Sequence, residues 1–315
     1  MNVVKTCANL GYLSAVCDKD LRPLEEIRSR YDDVRLFCDF DTMLQLGKIT
    51  AVAIAAPAQY HSELAIRALR AGLDVFVEKP LALSVEDAQR VVETAAELRR
   101  KLVVGHVLLY HPAVQAMLSM ISSGAIGEVR HVRSRRSSWG RLREHEDVWW
   151  SFSPHDVALA LAIFGEEPES ASGSAGAFVR PHIADIAYAD FRFSMGRTAH
   201  VEANWIDPQK NSQTDVFGST GVLSFRDGAD GGTLRYTRGG DRLSVGGTVE
   251  LVREETVDIP VAAGEPLAIE IEAFARFVRG GRVPPTDGRE GLAVVRALSM
   301  VRDAIGSARA GAVVE

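Results

Sequence analysis

Two side chains, Lys79 and His155, combine proton-moving chemistry with a setting that could use it. Lys79 stands in Glu78-Lys79-Pro80, directly after the apolar run Val75-Phe76-Val77. The run reads as a buried parallel strand, so the tripeptide lies at its carboxyl end, where open α/β sheets bind ligands. A carboxylate before the lysine and a rigid proline after it hold it in place. A positioned ammonium can hydrogen-bond a hydroxyl and help move its proton. The competing reading is an ordinary surface lysine, which the strand-end placement disfavours. His155 follows Pro154 at a predicted helix start, beside Trp149, Trp150 and Asp156. Neutral imidazole there can take a hydroxyl proton, although a lone histidine is more often structural.

Other residues add weaker signals. Asp18 ends a predicted strand, a setting in which a carboxylate accepts hydrogen bonds from ribose hydroxyls and repels a 2′-phosphate. Lys19 and Arg22 beside it leave a phosphate possible. Ala56 and Pro57 end another strand, and His61, four residues on, is a candidate helix cap. The basic run Arg130-His131-Val132-Arg133-Ser134-Arg135-Arg136 continues to Arg141 and Arg143. Strand alternation puts Arg133 and Arg135 on one face and Arg136 on the other. These arginines read either as a solvated edge or, at Arg133 and Arg141, as guanidinium forks for a diphosphate. Trp139, Trp149 and Trp150 read as core, or as platforms for a sugar or a base. His106 and Tyr110 open the second half and are substrate-side candidates. No His, Cys, Asp or Glu group has metal-ligand spacing, so no metal is expected.

The elements that must position these residues follow a clear rhythm. Helices over about 2–10, 21–30 and 61–71 alternate with strands near 13–17, 35–38, 50–56, 74–77 and 102–105. Ser84 caps a further helix, with Glu86 and Asp87 in its first turn and Arg99, Arg100 and Lys101 expected in its last. Strands alternating with helices predict a parallel, doubly wound sheet. The rhythm changes after about residue 106. A helix (112–122), a long strand (128–138) and a helix (154–164) lead into strand after strand over 168–258. Two helices, 267–279 and 288–307, close the chain. This predicts an α/β class: a Rossmann-type parallel sheet in residues 1–106, then an α+β domain over 107–315 with a large, mainly antiparallel sheet.

Composition bounds the rest. With 315 residues and 46% hydrophobic content, the chain is long enough for two cores. A net charge of -6 gives no general attraction to nucleic acid or anionic lipid. No apolar run approaches a bilayer's thickness. The three cysteines, Cys7, Cys17 and Cys38, suit free thiols, and no secretory signal opens the sequence, so the cytoplasm is expected.

Together these residues resemble the glucose–fructose oxidoreductase / inositol dehydrogenase (Gfo/Idh/MocA) family of NAD(P)-dependent enzymes. The resemblance rests on Ala51–Pro57 with His61, on Ala71–Pro80, on Val104-Gly105-His106 and on Trp150-Ser151-Phe152-Ser153-Pro154-His155-Asp156. The last segment looks most like the branch acting on nucleotide sugars. The resemblance implies NAD as cofactor, with NADP possible, and a sugar or nucleotide-sugar substrate. It implies a catalytic role for Lys79, acid–base work for His155, and Glu78 facing the nicotinamide or its ribose. It also implies Ala56 and Pro57 as a wall against that ribose, a cis bond before Pro80, and a homodimer or homotetramer. Ser151 stands where many members carry aspartate, so proton transfer would lean on Lys79 and His155. The alternatives are a non-catalytic sensor of NAD(P) or sugar on the same fold, or a truncated inactive fragment.

One element is expected to be missing. A dinucleotide-binding unit places its glycine fingerprint roughly 20 residues before the ribose-binding acid. Counting back from Asp18 puts the first glycine before Met1. The sequence is therefore expected to start inside the first helix, without the first strand and phosphate loop, through a start-site error or trimming. The intact mass of the protein from its source decides between these and a natural start.

Overall fold

The computed structural model describes residues 2–140, 142, 143, 146–228, 231–243 and 249–311. In chain order the elements begin with α1 (Asn2–Asn9), β1 (Ala15–Cys17), α2 (Leu21–Arg28), β2 (Arg35–Phe37), α3 (Phe40–Leu46) and β3 (Ala51–Ile54). They continue with α4 (His61–Arg70), β4 (Asp74–Glu78), α5 (Val85–Glu97), β5 (Leu102–Gly105), α6 (Pro112–Ser122), β6 (Val129–Trp139), α7 (Val148–Phe152) and α8 (Pro154–Phe164). Then come β7 (Ser170–Gly176), β8 (Ile186–Arg192), β9 (Thr198–Asn204), β10 (Ile206–Gly218), β11 (Gly221–Asp227), β12 (Thr233–Leu243) and β13 (Val249–Ile259). The chain closes with α9 (Pro266–Val278) and α10 (Gly288–Gly311). Among the described residues no helix is long and apolar enough to cross a membrane.

The chain divides into two units, Met1–Gly105 with Glu265–Leu292, and His106–Gly264 with Ala293–Glu315. This corrects the expectation that all of 107–315 forms one domain. The reason is the apolar stripe of α9. Ile271 and Phe274 join Val3, Phe76 and Val103 in one core cluster, with Cys7, Leu10, Leu267, Phe277 and Val278 packed around it. The Phe76 and Phe274 rings lie 5.9 Å apart. Burying side chains of this size contributes roughly 1.5–3 kcal/mol each, which is ample reason for α9 to return to the first unit.

In the first unit the strands are parallel and form two sheets, β1–β2 and β3–β4–β5. Central β4 is buried along Asp74–Val77, as its unbroken apolar run requires. The expected caps hold at Ser84, whose side chain accepts from the Asp87 N–H, and at Gly11 and Gly72, which take positive φ. The end of α5 differs from expectation. It stops at Glu97, Arg99 turns to φ 52°, and Arg99, Arg100 and Lys101 lie beyond the helix. Lys101 instead donates to the Val278 carbonyl (2.8 Å), so its charge serves the carboxyl end of α9. The helix α3 was not foreseen. Its signal is Asp39 as N-cap, accepting from the Thr42 N–H, followed by Phe40, Met43 and Leu46 at helical spacing.

The second unit is built on an eight-stranded sheet of order β13-β12-β11-β10-β6-β9-β8-β7. All pairs are antiparallel except β6–β9, so the sheet is mixed. Burial alternates along β8 and β9: Ala187, Ala189, Phe191, Ala199, Val201 and Ala203 are buried, and Tyr188, Asp190 and His200 are not. One face therefore carries the core and the other stays open.

Candidate active site

The strand ends of the first unit bring several of the predicted residues together. His61, at the start of α4, is 1% exposed. Its Nδ1 lies 2.7 Å from the Pro80 carbonyl oxygen and its Nε2 lies 2.7 Å from that of Ala56. One ring thus ties the end of β3 to the turn that carries Lys79. Both contacts are hydrogen bonds only when both ring nitrogens carry a proton. His61 is more than a helix cap: it fixes the spacing of two strand ends. The Lys79–Pro80 bond is cis, as the resemblance implies.

Glu78 pairs in register with Gly105 at the end of β5. A Cβ on Gly105 would lie 3.1 Å from the Glu78 carboxylate, 3.1 Å from the Phe76 ring and 3.2 Å from the Glu78 Cα. Glycine here leaves room for the Glu78 side chain, which is half-buried with Lys79. Asp18 follows β1, and its carboxylate accepts the Asp20 N–H (2.9 Å), which fixes its direction. The Lys19 ammonium lies 5.8 Å from the Tyr60 ring centre, so it bridges toward the segment after β3. Ala56 is half-buried and Pro57 exposed beside them.

Glu270 was not foreseen. It is fully buried in α9, and burial, with Glu78, Glu290 and Glu265 nearby, pushes its carboxyl up to about 9. The sequence did carry a signal. Glu270 occupies a stripe position between Leu267 and Phe274, where the helical period demands an apolar residue.

In the second unit His155 sits in the first turn of α8, half-buried, with Ser151 buried four residues before it. The start of α8 is anchored from the sheet. Arg136, on the helix-facing side of β6, donates from Nε to the Asp156 carboxylate at 2.7 Å and from Nη2 at 3.3 Å. The side chains are 17% and 2% exposed. Asp147, N-cap of α7, accepts the Trp150 N–H. Trp149 is core: its Nε1–H donates to the Leu298 carbonyl (3.0 Å) and its ring stacks on Phe191. Trp150 is buried beneath the Arg302 guanidinium.

The remaining candidates are placed less favourably for ligand contact. Arg133 and Arg135 share the open face of the sheet, as alternation required. Arg133 is engaged by Asp215 (2.6 Å), and Arg135 by Glu202 and Asp207 (both 3.2 Å). Their charges are therefore balanced within the protein. Arg141 lies outside the described residues. Trp139 is 75% exposed at the end of β6. His106 and Tyr110 are buried.

Two family models match this chain, one in each unit. A family model described as "Oxidoreductase family, NAD-binding Rossmann fold" matches residues 2–106. A second, "GFO/IDH/MocA C-terminal domain", matches residues 114–224. The chain belongs to the Gfo/Idh/MocA oxidoreductase family. A UDP-N-acetylglucosamine 3-dehydrogenase from Acidithiobacillus ferrooxidans is 28% identical over 299 residues, 95% of this chain and 91% of that protein. A solved structure of that enzyme matches with a TM-score of 0.83 and 25% identity, over 97% of this chain and 94% of that one. A scyllo-inositol 2-dehydrogenase (NAD(+)) from Bacillus subtilis is 26% identical over 247 residues, 75% of this chain and 69% of that protein. The Gfo/Idh/MocA N-terminal domain is the NAD-binding one, and here it holds the strand ends just described.

Proposed function

We propose that this chain is an NAD(P)-dependent oxidoreductase acting on a secondary hydroxyl or keto group of a sugar, most specifically a nucleotide sugar. The observation that carries the reading is Glu78-Lys79-Pro80 at the end of a buried parallel strand, in a chain alignable over 95% of its length with a UDP-N-acetylglucosamine 3-dehydrogenase. The first unit fits a dinucleotide: Gly105 leaves the Glu78 side chain a space that a Cβ would fill, and Asp18 follows β1 with a fixed carboxylate. When bound, the nicotinamide supplies the hydride acceptor or donor. Lys79 orients and polarises the reacting oxygen. His155 exchanges the hydroxyl proton. Ser151 cannot serve as a carboxylate base, so no third acid is assigned. Asp18 favours NAD over NADP.

Thermal-shift titration tests this reading, because a ligand that binds only the folded state raises its apparent stability. NAD at about 100 times its dissociation constant adds about 2.7 kcal/mol, and the melting temperature is expected to rise by a few degrees, with a smaller rise for NADP. No rise with either nucleotide would sink the reading. A rise without turnover of any sugar or nucleotide sugar would favour the sensor.

The open face of the eight-stranded sheet suggests self-association. It carries Tyr188 stacked on His200, Arg133 over the Phe217 ring, and the ion pairs of Arg133 and Arg135. An isologous contact through such a face would give a homodimer or homotetramer. Light scattering is expected to return a mass two or four times that of the chain; a monomer at micromolar concentration would refute it. Small sugar substrates and a cytoplasmic setting complete the proposal.

A further inference from the structure

Among the described residues Glu270 is the one fully buried carboxyl whose two oxygens meet no hydrogen-bond partner. Its neighbourhood is acidic from every side that acts on it: Glu78 from β4, Glu290 from the first turn of α10, and Glu265 from the start of its own helix. Glu265 is occupied as N-cap of α9, accepting the Leu267 and Ala268 N–H groups. Glu78 and Glu270 form the polar continuation of an apolar contact. Phe76 and Glu78 lie on the same side of β4, two residues apart. Phe274 and Glu270 share one face of α9, four residues apart. The Phe76 and Phe274 rings meet at 5.9 Å, and Glu78 acts on the Glu270 carboxyl beside that contact. Gly105 closes the same corner against Phe76 and Glu78.

A carboxylate near a buried carboxyl favours the neutral form of the buried one. We propose that Glu270 is a positioning residue that holds the pair's single proton, leaves Glu78 ionised at the strand end, and gives up that proton when a cation docks beside Glu78. The inference rests on the reading that Glu78 faces the nicotinamide. Oxidised nicotinamide is cationic and offsets the Glu78 charge, which weakens the hold on the Glu270 proton. The Glu270 O–H bond then breaks and the proton passes to buffer. Reduced nicotinamide is neutral and leaves it in place. Binding of NAD, and not of NADH, is thus linked to proton release.

Calorimetric titration at pH 8 in two buffers of unlike ionisation enthalpy reads this release directly. The parent protein is expected to release a fraction of a proton per site with NAD and none with NADH. Its NAD affinity should climb with pH by up to about tenfold per unit. E270Q, neutral and nearly isosteric, should bind NAD with equal heats in both buffers and a flat pH dependence. E78Q should bind without the NAD–NADH difference. Proton release retained in E270Q, or equal for the two nucleotides in the parent, would overturn the proposal.

A second measurement needs no cofactor. The folded value of Glu270, about 9, lies above its ordinary 4.5, so the folded state holds the proton more tightly. The stability this confers is full below about 4.5 and is lost as pH climbs toward about 9. The parent melting temperature should fall across that window, and that of E270Q should fall less. Failure of both nucleotides to bind the parent would defeat the function reading alone. The melting profiles then judge Glu270 independently: equal pH dependence in parent and E270Q overturns its role, and a flatter E270Q profile upholds the neutral acid.

Discussion

Lys79→Met is expected to lose about 10²–10⁴-fold in turnover, the range for removal of a positioned acid–base group, while the protein stays folded. The methionine keeps most of the lysine stem, so its packing in a half-buried position changes little. What is lost is the ammonium. The backbone around it is held without the lysine side chain: Pro80 is buried, and its carbonyl lies 2.7 Å from the buried His61 ring. The loss should therefore fall on turnover, with NAD affinity by thermal shift changed less than severalfold. Arginine should not rescue activity, because its fork neither fits the place of a point charge nor gives up a proton. The measurement is steady-state nicotinamide reduction with whichever sugar or nucleotide sugar the parent oxidises. More than a tenth of parental turnover in Lys79→Met would remove Lys79 from the chemistry.

Asp156→Ala should cost roughly 3–5 kcal/mol of stability, the usual penalty for stranding one partner of a buried ion pair. Asp156 is 2% exposed and Arg136 17%, so water cannot take over for the lost carboxylate. Burial works against the Arg136 charge, but Asp156 outweighs it and holds its pKa above the ordinary arginine value. Without Asp156, the guanidinium keeps, among the described residues, a 3.5 Å contact with the Ser212 hydroxyl and an attraction to Asp227. The urea midpoint of the variant should drop sharply. Replacing both partners by apolar residues, Arg136→Met with Asp156→Leu, should recover much of the loss, since no charge is then stranded. If the single and double variants lose equally, the pair is not the anchor of α8. Because His155 shares that first turn, activity in the double variant should remain below parental even where stability returns.

The two cases differ in how far they could be foreseen. Lys79 was legible because its setting is local: an apolar run, its carboxyl end and a proline lie within six residues. The same holds for Ser84 as a cap, for Gly11 and Gly72 as helix stops, and for the alternation that split Arg133 from Arg136. The partner of Arg136 was not legible, since any of several acids could have faced the inner side of β6. The basic residues after α5 show the opposite error. Local charge logic assigned them to the helix they follow, yet Lys101 caps a helix 177 residues further along the chain.

The sequence by itself determined the class of the fold, the strand end that carries Glu78-Lys79-Pro80, the helix start that carries His155, and the family resemblance. These depend on periods of two and 3.6 residues, caps and short motifs, all of which act over a few positions. Tertiary structure alone decided the rest. It returned α9 to the first unit, set the His61 ring between the Ala56 and Pro80 carbonyls, neutralised Arg133 with Asp215, and buried Glu270 within reach of the Glu78 charge. Each of these is a pairing between distant segments, selected by which apolar surfaces had to be covered and which charges could not be left alone. Short-range pattern records that an apolar stripe or a charge exists; only packing assigns its partner. Glu270 shows this most clearly: one residue in an apolar stripe, given its meaning by a carboxylate 192 positions before it.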